Sequence, residues 1–103
     1  MNDDNAVKIL SALAQSTRFS VFRLLIKKGK VGMSAGAIAE ELGVAQNTMS
    51  SHLNVLTNAG VIGFTREGRT LTYTIEFENT KNFMDYLVTD CCEGQPELCS
   101  FSE

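Results

Sequence analysis

The chain has 103 residues, 44% of them hydrophobic and 20% charged, and a formal net charge of −3. This is the composition of one ordinary globular domain with a thin stability margin. No apolar run approaches the length of a membrane span, and the acidic start Met1-Asn2-Asp3-Asp4 is unlike a signal peptide, so a cytoplasmic location with reduced thiols is expected.

The charge is unevenly placed. Up to Ile75 eight basic side chains face five acidic ones; from Glu76 onward one basic side chain faces seven acidic ones. The acidity therefore belongs to the C-terminal part, and the first three quarters can accept a polyanionic partner. The basic excess is small, so any such affinity must come from a few placed contacts on two protomers, not from bulk charge.

Between Asp3 and Gln15 the residues Ala6, Val7, Leu10, Leu13 and Ala14 recur at helical spacing, with Asp3 or Asp4 able to cap the start. A second helix is expected from Ser16 to about Lys28. Phe19, Phe22 and Ile26 form its stripe, Val21, Leu24 and Leu25 lie beside it, and Gly29 closes it. Ser34 reads as the N-cap of a short helix, Ala35–Leu42, closed by Gly43. A longer helix follows from about Ala45 to Ala59, with Ala45, Met49, Leu53 and Leu56 on one face and Gly60 at its end.

After Gly60 the period changes to two. Val61, Ile62, Phe64 and Thr65 begin a strand, and Arg66-Glu67-Gly68-Arg69 supplies a turn with Gly68 available for a positive φ. Leu71, Tyr73, Ile75 and Phe77 then alternate with polar residues as a half-buried strand. A last helix is expected from about Asn79 to Thr89, with Phe83, Met84, Tyr86 and Leu87 on its apolar side.

A short helix, a glycine-containing turn and a second helix make a helix-turn-helix, and the arginine-tipped hairpin adds a wing. The fold class is therefore mainly α with a β-hairpin wing: a winged helix-turn-helix of about five helices and two strands. The outer face of the second helix carries Gln46, Asn47, Ser50 and Ser51, with no carboxylate between Val44 and Arg66. Amide side chains can pair with adenine, and serines can reach base edges or phosphates. Arg66 and Arg69 can follow the backbone or enter a minor groove. His52, the only histidine, suits a phosphate contact or a packed, hydrogen-bonded imidazole better than a metal site.

The runs Leu13–Leu25, Ile38–Leu56 and Ala59–Ile62 resemble the ArsR/SmtB family of metal-responsive repressors, and the resemblance extends from about Val7 to Leu87. It implies a homodimer joined through its first and last helices. It also implies operator DNA bound by the Ala45–Ala59 helix and the wing, and released by an inducer. Gln46, Asn47, Ser50, Ser51, His52, Arg66 and Arg69 inherit DNA-contact roles from it. Two inducer sites known in the family are not matched. The helix Ala35–Leu42 has no cysteine, and the last helix has Asp85 but no histidine.

The cysteines are Cys91, Cys92 and Cys99, all in the tail and within nine positions. They resemble the C-terminal arsenite site of one branch of the family. Trivalent arsenic or antimony favours three thiolates in a pyramid, whereas zinc prefers four ligands in a tetrahedron. Gly94 and Pro96 can turn the chain so that Cys99 joins Cys91 and Cys92. Arsenite or antimonite is thus the expected inducer, with no permanent cofactor. Other readings stay open: a thiol redox switch such as a Cys91–Cys99 disulfide, a zinc or cadmium site completed by Glu93, Glu97 or water, or a tail whose thiols have no role.

The expected organisation is a DNA-binding and dimerisation domain over 1–90 and a sensor tail over 91–103. No nucleophile–base pair or phosphate loop can be assembled around one histidine, so neither an enzyme nor a small-molecule substrate is expected. A winged-helix protein-interaction module whose tail holds a structural metal is the competing class.

Overall fold

The structure is a computed structural model that describes residues 1–90; Cys91, Cys92, Cys99 and the rest of 91–103 lie outside the described residues. Its elements are α1 (Asp3–Leu13), α2 (Ser16–Lys28), β1 (Met33–Ser34), α3 (Ala35–Leu42), α4 (Gln46–Ala59), β2 (Ile62–Glu67), β3 (Thr70–Ile75) and α5 (Phe77–Asp85). A 3₁₀ turn, Gly29–Val31, follows α2, and a π-helical turn, Tyr86–Asp90, follows α5.

The helix starts follow local chemistry. Asn2 caps α1 by accepting from the Asn5 N–H at 2.9 Å, a position one residue ahead of the expected aspartates. Gln15 does the same for α2 through the Arg18 N–H, and Ser34 for α3 through the Ala37 N–H. Helix α4 ends in a Schellman-type closure: the Gly60 N–H reaches Thr57 O and the Val61 N–H reaches Leu56 O.

Helix α4 supplies the centre of the core. Met49, Leu53 and Leu56 are fully buried, together with Ile38 of α3, Leu25 and Val21 of α2, and Val61. Each such side chain contributes about 1.5–3 kcal/mol by leaving water. Helix α1 packs on α4 and α2, α3 packs on both of them, and α2 backs β3. The buried face of α1 is Ala6, Ile9 and Ala12, a rotation from the expected stripe that leaves Val7 and Leu10 exposed. On α2 the buried residues are Val21, Phe22 and Leu25, while Phe19 and Ile26 face outward.

The sheet has three antiparallel strands in the order β1-β3-β2, one more than expected. Met33 and Ser34 pair with Tyr73 and Thr72, a bridge too short to leave any alternation in the sequence. The hairpin is tighter than expected. Arg66 and Glu67 belong to β2, where they pair with Leu71 and Thr70, so the loop is only Gly68-Arg69 and Gly68 takes φ +62°. Phe64 and Tyr73 face each other across the strands with ring centroids 5.5 Å apart.

The last strand ends at Ile75, and Phe77 opens α5 half exposed instead of extending the alternation. Hydrogen bonds from outside the sheet explain this. Glu76 N–H donates to Val61 O at 2.9 Å, and Thr80 Oγ1 donates to the same carbonyl. Asn79 Nδ2 donates to Gly60 O at 2.9 Å. These bonds fasten the first turn of α5 to the outlet of α4.

Gly32 and Gly68 separate two kinds of glycine demand. A Cβ on Gly32 would lie 2.4 Å from Tyr73 O, at φ +71°, whereas a Cβ on Gly68 would meet nothing within 4 Å. Gly68→Ala is expected to cost about 1 kcal/mol from backbone strain alone. Gly32→Ala adds a clash with sheet backbone and is expected to cost about 3 kcal/mol or more. Thermal melting of both variants beside the parent checks the order; equal losses would contradict it.

Candidate nucleic-acid interface

The inner stripe of α4 fixes which way its other side points. With Met49, Leu53 and Leu56 in the core, Gln46, Asn47, Ser50 and Ser51 are all exposed. No side chain caps the start of α4, where Ala45 is the N-cap residue. Asn47 Oδ1 accepts from the Thr48 N–H at 2.9 Å, which occupies the oxygen half of that amide. Gln46 has no such restraint, so of the two amides it is freer to present both a donor and an acceptor.

The wing continues this surface in character. Arg66 on β2 and Arg69 in the loop are both exposed. The face of α4 carries no charge and the wing carries two guanidinium groups. One can read base edges by hydrogen bonding, and the other can hold phosphates.

His52 is different from its neighbours. It sits half-buried on the flank of α4, with Nδ1 3.4 Å from an Arg18 guanidinium nitrogen. Arg18 is itself half-buried, and its Nε donates to Ala12 O at 2.6 Å, one of the carbonyls left free at the end of α1. No basic residue stands in the last turn of α1, so Arg18 brings the cation that this helix end favours from the next helix. The sequence reading overlooked Arg18 in this role. The available signal was an arginine in the first turn of α2, directly after the α1–α2 corner.

At the far end of the chain, the Tyr86 hydroxyl donates to Asp3 Oδ1, which ties the turn after α5 to the start of α1. Asp85 forms an exposed ion pair with Lys81 at 3.2 Å. Among the described residues, no three histidine, cysteine, aspartate or glutamate side chains are placed to hold a metal ion. No single helix among them is long and apolar enough to cross a membrane.

This combination of a buried-stripe second helix, an exposed uncharged reading face and an arginine-bearing wing defines a winged helix-turn-helix DNA-binding regulator. Residues 13–62 match a helix-turn-helix domain family. An uncharacterised HTH-type transcriptional regulator of Methanocaldococcus jannaschii is 32% identical over 81 residues, covering 79% of this chain and 89% of the relative. The transcriptional repressor SdpR of Bacillus subtilis is 29% identical, covering 87% and 97% of the two chains. A cadmium resistance regulatory protein CadC homologue of Staphylococcus aureus is 27% identical, covering 82% and 68%. The solved structure of HlyU from Vibrio cholerae superposes with a TM-score of 0.69 at 26% identity, covering 89% and 99%. The chain belongs to the ArsR/SmtB family of winged helix-turn-helix transcriptional regulators, which bind DNA and are not enzymes.

Proposed function

We propose that this regulator is a homodimeric repressor that holds operator DNA through α4 and the wing, and lets go when trivalent arsenic or antimony binds Cys91, Cys92 and Cys99. The observation that carries the DNA half is the exposed, carboxylate-free face of α4. Gln46, Asn47, Ser50 and Ser51 stand there in front of a fully buried anchor stripe. Arg66 and Arg69 hold the flanking phosphates. His52 belongs to the same surface by inheritance from the family resemblance. Its half-burial puts it at the edge of the surface and not at its centre.

A second copy of the chain suits the apolar side chains left outside. Val7 and Leu10 of α1 are 61% and 45% exposed, and Phe77 and Met84 of α5 are 51% and 48% exposed. Two protomers joined through these helices place two reading helices on successive turns of a palindromic site.

The inducer half rests on the cysteine cluster, which follows Asp90 directly in the sequence. The turn before it is tied by Tyr86 to Asp3 of α1. A ligand gathered by three thiols there acts next to the two helices proposed to join the protomers. It releases DNA to the extent that it binds the DNA-free arrangement more tightly. A cadmium resistance regulator among the relatives supports soft-metal chemistry in general. Zinc or cadmium binding and thiol oxidation are the alternatives. The relatives include one named a repressor and one named an activator, so repression is part of this proposal.

Two measurements test the halves separately. Alanine at Gln46 is expected to weaken operator binding by about 1–3 kcal/mol with relaxed base preference at one position. Alanine at Arg69 should weaken binding uniformly and lower the salt slope by about one phosphate contact. Anisotropy titrations on operator and mismatched DNA at several salt concentrations read both. Cys91→Ser, Cys92→Ser and Cys99→Ser should each leave DNA binding intact and raise the arsenite concentration needed for release about tenfold or more. Parallel titrations with antimonite, zinc, cadmium and an oxidant identify the ligand; release by zinc alone would reject a metalloid inducer.

A further inference from the structure

The Arg18 side chain joins its own helix to two others by hydrogen bonds. It belongs to α2, its Nε holds the last turn of α1 at Ala12 O (2.6 Å), and its terminal nitrogen meets His52 Nδ1 of α4 at 3.4 Å. Arginine has no acceptor, so this contact requires His52 to accept at Nδ1 and to carry its proton on Nε2. An imidazolium has no lone pair to offer and would place a second cation against the guanidinium. Among the described residues no carboxylate stands in an ion pair with either group, because the one ion pair is Lys81–Asp85. From α1 the facing group is the Ala12 carbonyl, and neither α3 nor β2 contributes a hydrogen bond to Arg18 or His52 among the described residues.

We propose that Arg18 and His52 are positioning residues for DNA binding: neutral His52 couples the roll of α4 to the end of α1 through Arg18, and protonation of His52 releases that coupling. The inference rests on the reading of α4 as the DNA-facing helix. Helix α1 is also the helix that carries the exposed Val7 and Leu10 face, so the link runs from the proposed protomer contact to the reading helix without passing through the hydrophobic core.

The sign of the pH effect separates this from a direct phosphate contact. A histidine that touched phosphate would bind more tightly once charged. A histidine that must accept from Arg18 loses its partner, and operator affinity falls. His52 is the only histidine in the chain, so a pH response that disappears in His52→Asn is assigned to this imidazole. His52→Asn keeps an acceptor oxygen near the Nδ1 position but cannot gain a proton there. It also reports any contribution from the α-amino group.

The experiment is operator affinity by anisotropy on the reduced, inducer-free full chain at about pH 7.5 and about pH 5.5, with thermal melting of each variant. The parent is expected to lose about tenfold in affinity on acidification, the size of a lost hydrogen bond to a charged group. His52→Asn should show no fall in affinity between the higher and the lower pH, whatever its affinity at the higher one. His52→Leu should be weak at both. Arg18→Lys keeps the charge at the end of α1 but lacks the fork needed to span both partners, so it should bind weakly with a flat pH profile. A rise in parental affinity on acidification, or an unchanged fall in His52→Asn, would overturn the inference and make His52 a phosphate ligand or a bystander. Gln46→Ala in the same series keeps the two readings apart. If it binds as well as the parent, the DNA-facing assignment of α4 fails. If it weakens while His52→Asn keeps the parental pH profile, only the Arg18 coupling fails.

Discussion

The face that α4 turns to solvent depends on the burial of one stripe of the same helix. Met49, Leu53 and Leu56 have no exposed surface, and the helices around them are arranged to keep it so. Truncating one of these side chains to alanine in such a site typically costs about 2–5 kcal/mol, a large part of the stability of a domain this size. Because the stripe cannot roll out of the core, the opposite face cannot roll into it, and four uncharged polar side chains stay in solvent. The function of the surface is set by the energetics of the interior.

Two further restraints act on the same helix from its sides. At the C-terminal end, Asn79, Glu76 and Thr80 satisfy the Gly60 and Val61 carbonyls, so α5 begins where α4 stops. At the flank, Arg18 bridges His52 and the end of α1. Both α1 and α5 carry exposed apolar side chains, and both are linked to α4 or its C-terminal end by directional polar bonds. Hydrophobic packing tolerates small sliding; hydrogen bonds to carbonyls have a narrower range of geometry. That difference gives a small rearrangement at the proposed protomer contact a route to the proposed DNA-facing side of α4.

Most of the helices could be read from the chain because their boundaries are chemical. Ser34, Gly43 and Gly60 stand where a cap or a left-handed closure is needed, and the glycines after α2 and α4 fall where the period breaks. The outer face of α4 was legible for a related reason: a helix with no carboxylate on its solvent side is unusual for an exposed helix. What escaped the sequence depends on partners far along the chain. Strand β1 has two residues and exists only because β3 lies beside it. Phe77 continues a period of two in the sequence, yet side-chain bonds from Asn79 and Thr80 to carbonyls nineteen residues back turn the chain into α5 first. The buried face of α1 is Ala6, Ile9 and Ala12, which meets α4 and α2, and not the side that carries Val7 and Leu10. Arg18 looked like one more surface cation until the end of α1 and the flank of α4 were brought to either side of it.

Among the described residues the order β1-β3-β2 leaves β2 with one side unpaired, and that side runs out along the wing. An open strand edge invites another chain to add to the sheet, and here it includes the half-exposed Phe64. Arg66 and Glu67 sit at the outer end of that edge and put a charge of each sign where a second strand would have to align. The guanidinium proposed to hold DNA also makes the free protein a poor template for sheet growth. Replacing Arg66 with an apolar residue thus removes a guard against self-association, and reduced solubility of such a variant would say nothing by itself about its contact with DNA.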